Sequence, residues 1–228
     1  MTTSTATTTT ATHPSILLLG DSITQLACDP MQNGFQSLLE RDYIRRLDVV
    51  NRGLSGYNTR WTLDVLPAIL QDAYAHRAAP LLVTVFLGAN DAAPPGSTQH
   101  VPLPEFQANL RALVEVLRQW FPSSKVLLLT PPPISDTRTC GRRNDLARTY
   151  AAASVAVGTA LDIPVVDLWT LLQEDRDSYL VDGLHLNAKG NTAVYNSLTQ
   201  HIASLWPHLS PDNLPFVYPP WASNVQSS

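Results

Sequence analysis

Five short runs rich in apolar residues, at 16–19, 47–51, 81–87, 126–130 and 165–168, divide the chain, and stretches with helical spacing lie between them. Runs of this kind suit strands covered on both faces, as in a parallel sheet. Phe35, Leu38 and Leu39 begin one helix after Asn33-Gly34, and Trp61, Val65 and Ile69 mark the apolar stripe of a second. Phe106, Leu110, Leu113, Val114 and Leu117, behind Pro104-Glu105, mark a third. Leu146, Tyr150, Ala153, Val157 and Leu161 mark a fourth; Val194, Leu198, Ile202 and Leu205 mark the last, with Asn187 as its cap. Strands alternating with helices predict an α/β fold, and helices for both faces predict a doubly wound sheet.

The chain has 228 residues, enough to bury such a core without disulfide or metal staples. The pattern predicts one domain over 14–205, a disordered Thr-rich segment over 1–13 and a Pro- and aromatic-rich tail over 206–228. The tail is too aromatic for a solvated linker. Its first part is expected to pack on the body or on a second subunit, and a homodimer in which it covers a neighbour or the site mouth follows as an expectation. Charged residues are 15% against 44% apolar, which excludes a disordered polyelectrolyte. Fifteen Lys and Arg without a basic run, at net charge −4, argue against a nucleic-acid partner. No run approaches the roughly 20 apolar residues of a membrane span. Cys28 and Cys140 are too few for a disulfide framework, and the start of the chain lacks the cationic and apolar segments of a signal peptide. A cytoplasmic protein is expected on these grounds.

In an open α/β sheet, ligands bind beyond the carboxyl ends of the strands. The first strand is followed by Gly20-Asp21-Ser22-Ile23-Thr24, the second by Asn51-Arg52-Gly53-Leu54-Ser55-Gly56-Tyr57 and the third by Gly88-Ala89-Asn90-Asp91. Asp182-Gly183-Leu184-His185 comes after the last strand. These turns together offer a hydroxyl, a glycine N–H, a carboxamide, an imidazole and a carboxylate, the parts of a nucleophilic acyl-transfer site. Ser22 stands where a strand turns toward a helix. It needs a base, which His185 supplies, and Asp182 three residues earlier is placed to hold the imidazole Nδ1–H. The oxyanion donors expected are the N–H groups of Ser22 and Gly53 and the side-chain amide of Asn90; the missing Cβ of Gly53 would let its N–H approach a substrate closely. Asp21 and Asp91 are expected to brace their own turns, and Ser55, between glycines, to be a turn residue. Asp182 and His185 also have metal-ligand spacing, but no further cluster completes a shell, so no metal and no cofactor is expected. The long Pro-rich connections 92–104 and 131–143 should rim the site.

In order and spacing, Gly20-Asp21-Ser22-Ile23, Gly53, Gly88-Ala89-Asn90-Asp91 and Asp182-Gly183-Leu184-His185 resemble the four blocks of the SGNH hydrolases, or GDSL esterases. The likeness spans about residues 15 to 205, and its one departure is Ile23 where the family nominally has Leu. It implies a three-layer α/β/α sandwich with a flavodoxin-like five-stranded parallel sheet, matching the five strands read from the pattern alone. It also implies a serine esterase with Ser22 as nucleophile, His185 as base and Asp182 as orienting carboxylate. Gly20-Asp21-Ser22-Ile23-Thr24-Gln25, Asn51-Arg52-Gly53-Leu54-Ser55-Gly56-Tyr57-Asn58-Thr59-Arg60-Trp61 and Asp182-Gly183-Leu184-His185-Leu186-Asn187 are similar to the isoamyl acetate-hydrolysing branch, which implies short-chain, acetate-type esters. Leu54, Tyr57 and Leu184 are the expected substrate walls. The competing functions are a lysophospholipase or thioesterase, a carbohydrate deacetylase, and a binding module that keeps the fold without catalysis.

Overall fold

The computed structural model describes residues 13–138 and 141–222. Five parallel strands form one sheet: β1 (Ser15–Gly20), β2 (Asp48–Gly53), β3 (Leu82–Phe86), β4 (Lys125–Leu129) and β5 (Val165–Val166). Their order is β2-β1-β3-β4-β5, so the chain reverses its direction of travel across the sheet between β1 and β3. In such a sheet the crevice beyond the carboxyl ends at that reversal is where ligands bind. The helices are α1 (Ser22–Gln25), α2 (Phe35–Asp42), α3 (Thr59–Tyr74), α4 (Leu103–Trp120), α5 (Asn144–Leu161), α6 (Leu168–Leu172) and α7 (Ala188–Leu205).

Strand residues point alternately to the two faces, and β1 shows the result. Ile16 and Leu18 join Phe35, Leu39 and Tyr43 of α2 and its C-terminal turn, and Val194, Leu198 and Ile202 of α7, in one buried cluster. Leu17 and Leu19 join Leu66 and Leu70 of α3, Phe106 and Leu110 of α4, and Tyr150 and Val157 of α5 in the other. Two apolar layers on a central sheet give the three-layer sandwich. Among the described residues, no helix is long and apolar enough to cross a membrane.

Two local expectations are corrected. The buried stripe of α3 runs through Thr62, Leu66, Leu70 and Ala73, one residue round from Trp61, Val65 and Ile69. Both sets have helical spacing; the observed one leaves Pro67 on the exposed side. The apolar run at 165–168 is a strand for two residues only, because the Asp167 side chain accepts the Thr170 N–H and starts α6 at Leu168. A carboxylate at this position satisfies an N–H of the first helical turn that would otherwise lack a partner.

The described tail, 206–222, lies against the amino end of the sheet. Tyr43 donates its hydroxyl hydrogen to Leu209 O (2.9 Å), and Val217 N–H donates to Arg45 O (2.9 Å). The guanidinium groups of Arg45 and Arg46 sit 4.7 and 4.4 Å from the Phe216 ring centre. Arg45 and Arg46 precede β2, whereas Ser22 follows β1, so this stretch does not cover the site mouth. The arginine pair and the Tyr43 hydroxyl explain its position: they offer donors and cations to a segment rich in aromatic rings and free carbonyls. The Thr-rich segment expected over 1–13 lies, apart from His13, outside the described residues, as does Cys140; Cys28 is exposed.

Candidate active site

β1 ends at Gly20 and the chain turns at once into α1. Asp21 caps that helix by accepting the Ile23 N–H at 2.9 Å, which leaves Ser22 as the first helical residue. Ser22 is buried, and its Oγ lies 2.8 Å from His185 Nε2, a contact between residues 163 positions apart. His185 stands on a loop closed by an antiparallel bridge between Leu180 and Leu186. Within that loop Asp182 divides its two oxygens. Oδ1 accepts the N–H groups of Leu184 (3.0 Å) and His185 (2.8 Å), while Oδ2 faces His185 Nδ1 at 2.7 Å. The first pair fixes the carboxylate, and the fixed carboxylate puts the Nδ1 hydrogen between itself and the ring, leaving Nε2 to accept from Ser22. Partial burial raises the Asp182 pKa, but the hydrogen bonds from the His185 ring and the two N–H groups outweigh it and bring it to about 2.

The three expected donors stand at or just beyond the carboxyl ends of β1, β2 and β3. The Ser22 N–H belongs to the first turn of α1, where helix amides have no partner within their own helix. Asn90 Nδ2 donates one hydrogen to Tyr57 O (2.8 Å), and its Oδ1 accepts from Arg142 Nη2 (3.1 Å) and Gln99 Nε2 (3.2 Å). Gly53 N–H donates to Asn51 Oδ1 at 2.7 Å. A Cβ at Gly53 would come within 2.2 Å of Gln25 N, so the missing side chain admits the backbone of α1. Leu54 N–H holds Gly20 O (2.9 Å), and Ser55, exposed, takes Gln25 Oε1 with its N–H (2.8 Å). The loop carrying Leu54 and Tyr57 is thereby tied to the Ser22 turn on one side and to Asn90 on the other. Leu184, beside His185, is half-buried and packs partly on the core.

Asp91 reaches beyond its own turn: it accepts the N–H (3.0 Å) and the hydroxyl of Thr59 at the start of α3, joining two rim segments. Burial pushes its carboxyl up to about 6, opposed by those Thr59 bonds. Burial lifts Asp21 further, to about 7; Asp91 adds to the rise, and the Ile23 N–H, His185 and Arg142 oppose it. An acid whose folded pKa exceeds its unfolded one costs stability as pH climbs from the lower value to the higher. Asp21 is therefore expected to give a falling stability between about pH 4 and 7, up to about 1.4 kcal/mol per pH unit. Asp21→Asn, which keeps an acceptor for Ile23, should remove that share of the slope in urea unfolding across about pH 4–8. An unchanged slope would show Asp21 ionised throughout. Asp182 acts in the opposite sense, its contribution being lost as pH falls from 3.8 toward about 2.

Arg142, Gln99 and Asn51 were not legible as site residues. The 131–143 connection is marked as a rim by length and proline, but no pattern distinguishes Arg142 from its neighbour Arg143, which turns away to pair with Asp145. Asn51 sits inside a strand, and its role in holding Gly53 depends on a side-chain bond that spacing does not reveal.

A model of the GDSL-like lipase/acylhydrolase family matches residues 18–193. The isoamyl acetate-hydrolyzing esterase 1 homolog of Bos taurus is 39% identical over 91% of this chain and 87% of that protein. The isoamyl acetate-hydrolyzing esterase of Saccharomyces cerevisiae is 31% identical over 94% and 99%. Among solved structures, the lipase/acylhydrolase from Enterococcus faecalis superposes with a TM-score of 0.67 at 26% identity, covering 84% of this chain and 96% of that one.

Proposed function

The chain belongs to the GDSL-like lipase/acylhydrolase family, and we propose that it is a cofactor-independent serine esterase that hydrolyses short-chain, acetate-type carboxylic esters through an acyl-enzyme. One observation carries the reading: the continuous chain from Ser22 Oγ through the His185 ring to Asp182 Oδ2, with links of 2.8 and 2.7 Å. An alcohol is a weak nucleophile at neutral pH unless a base removes its proton as it attacks, and a base oriented by a carboxylate is the arrangement that does so.

Ser22 Oγ attacks the ester carbonyl while His185 Nε2 takes its proton, and Asp182 stabilises the imidazolium. The oxyanion is met by the Ser22 N–H and the remaining Asn90 amide hydrogen. Gly53 joins them by sharing its hydrogen between Asn51 Oδ1 and the oxyanion. His185 returns the proton to the departing alcohol, then activates the water that cleaves the acyl-enzyme. Leu54, Tyr57 and Leu184 serve as apolar walls for the acyl or alcohol chain. The relatives named for isoamyl acetate support an acetate-type substrate. The exposed Tyr218 and Trp221 of the tail support a homodimer, and the unpaired Cys28 suits a cytoplasmic location.

Chain-length dependence tests the substrate. p-Nitrophenyl esters from acetate to hexanoate should be hydrolysed faster than the palmitate ester. A rate that climbs steadily with chain length would favour a lysophospholipase or thioesterase instead. A fluorophosphonate that fails to label Ser22 would leave a binding module.

A further inference from the structure

We propose that Arg142 is a positioning residue for ester hydrolysis: it sets which end of the Asn90 carboxamide faces the oxyanion. The inference rests on the esterase reading of the site. A carboxamide is nearly symmetric in shape, so Asn90 presents a hydrogen-bond donor to an oxyanion only if its surroundings distinguish nitrogen from oxygen. Here they do. Arg142 Nη1 donates to Ala89 O, the residue before Asn90, and Nη2 donates to Asn90 Oδ1 (3.1 Å) and Gln99 Oε1 (2.8 Å). Gln99 is held in one sense too, because its Nε2 donates to Gly56 O (2.9 Å) and to Asn90 Oδ1 (3.2 Å).

A guanidinium has no acceptor, and a backbone carbonyl has no hydrogen to give. Turning Asn90 over would set its NH2 against the Arg142 guanidinium and its oxygen against Tyr57 O, two repulsive contacts in place of two bonds. Arg142 thus commits Oδ1 to the far side. Nδ2 keeps one hydrogen on Tyr57 O, and the second meets no protein acceptor among the described residues. A donor held in place before charge develops is worth more than one that must reorient during reaction. The forked geometry explains why an arginine serves here. It spans a backbone carbonyl and two carboxamide oxygens at once, which a single ammonium cannot hold in the same rigid frame.

The test is a double-variant cycle on p-nitrophenyl acetate hydrolysis. Asn90→Ala should lower kcat roughly 10²- to 10³-fold, the effect of deleting an oxyanion donor. Arg142→Met should lower kcat by about 10- to 100-fold with KM little changed, less than deletion because Tyr57 O and Gln99 still favour the same orientation. Combining the two should lower kcat no further than Asn90→Ala alone, since Arg142 acts through Asn90. Arg142→Lys, which keeps the charge and the donor-only character, should recover part of the loss. An undiminished kcat in Arg142→Met, or losses that multiply in the double variant, would overturn the proposal. If Arg142→Met no longer unfolds cooperatively, Arg142→Lys carries the same test: its smaller kcat loss should vanish in the Asn90→Ala background, and an unchanged kcat or a multiplied loss overturns the assignment. Ser22→Ala, assayed in parallel, separates the two questions. Full activity there defeats the esterase reading of the site, whereas an inactive Ser22→Ala beside an unimpaired Arg142 variant defeats this inference alone.

Discussion

Ser22→Ala is expected to lower kcat for p-nitrophenyl acetate about 10⁶-fold, leaving only what binding and the oxyanion donors supply over water. The size follows from the role. On the proposed role, removing the hydroxyl removes the attacking atom; Ser55, between glycines in the neighbouring loop, is exposed, and it is the Ser22 hydroxyl that meets the imidazole. The substitution deletes one oxygen and adds no heavy atom to a buried position at the start of α1, so the sheet and the His185 loop should persist. Near-native thermal unfolding alongside the lost rate is therefore the expected pair of results. A kcat within about tenfold of the parent would place the nucleophile elsewhere.

The second large effect belongs to Asp182→Asn, with kcat lowered roughly 10⁴-fold, the scale set by replacing the carboxylate that orients a catalytic histidine. The geometry shows how an isosteric change does this. The new carboxamide would keep its oxygen on the Leu184 and His185 N–H groups, as Asp182 Oδ1 is now, so the turn would survive. Its NH2 would then face His185 Nδ1, where Asp182 Oδ2 now accepts. A donor at that place forces the ring hydrogen onto Nε2, which must then donate toward Ser22 rather than take its proton. Stopped-flow or steady-state hydrolysis should show the loss in kcat with KM nearly unchanged. A loss under about tenfold would mean that His185 holds its tautomer without the carboxylate.

The two predictions differ in how far they are readable from the amino-acid order. Asp182 and His185 are three residues apart, and a side chain meets a ring across one turn through local geometry alone. The same holds for the Asn187 cap on α7, whose oxygen accepts the Gly190 N–H, and for the Asp21 cap on α1. Apolar runs and helical spacing carry the five-stranded α/β architecture because burial imposes those periods on any chain that folds this way. Legibility fails where two periods compete, as on α3, and where a single capping side chain outweighs a strand preference, as at Asp167.

Sequence by itself determined the elements, the turns that end the strands and the residue types able to perform acyl transfer, since each depends on neighbours within a few positions. Only the tertiary structure decided that Ser22 meets His185 across 163 residues, that the Gly53 N–H is held by Asn51, and that Arg142 reaches in from the 131–143 connection to bond the Asn90 side chain. Contacts between distant segments arise from the packing of the whole sheet, and no local preference for backbone angle or burial encodes which side chain will stand opposite another once the strands are aligned.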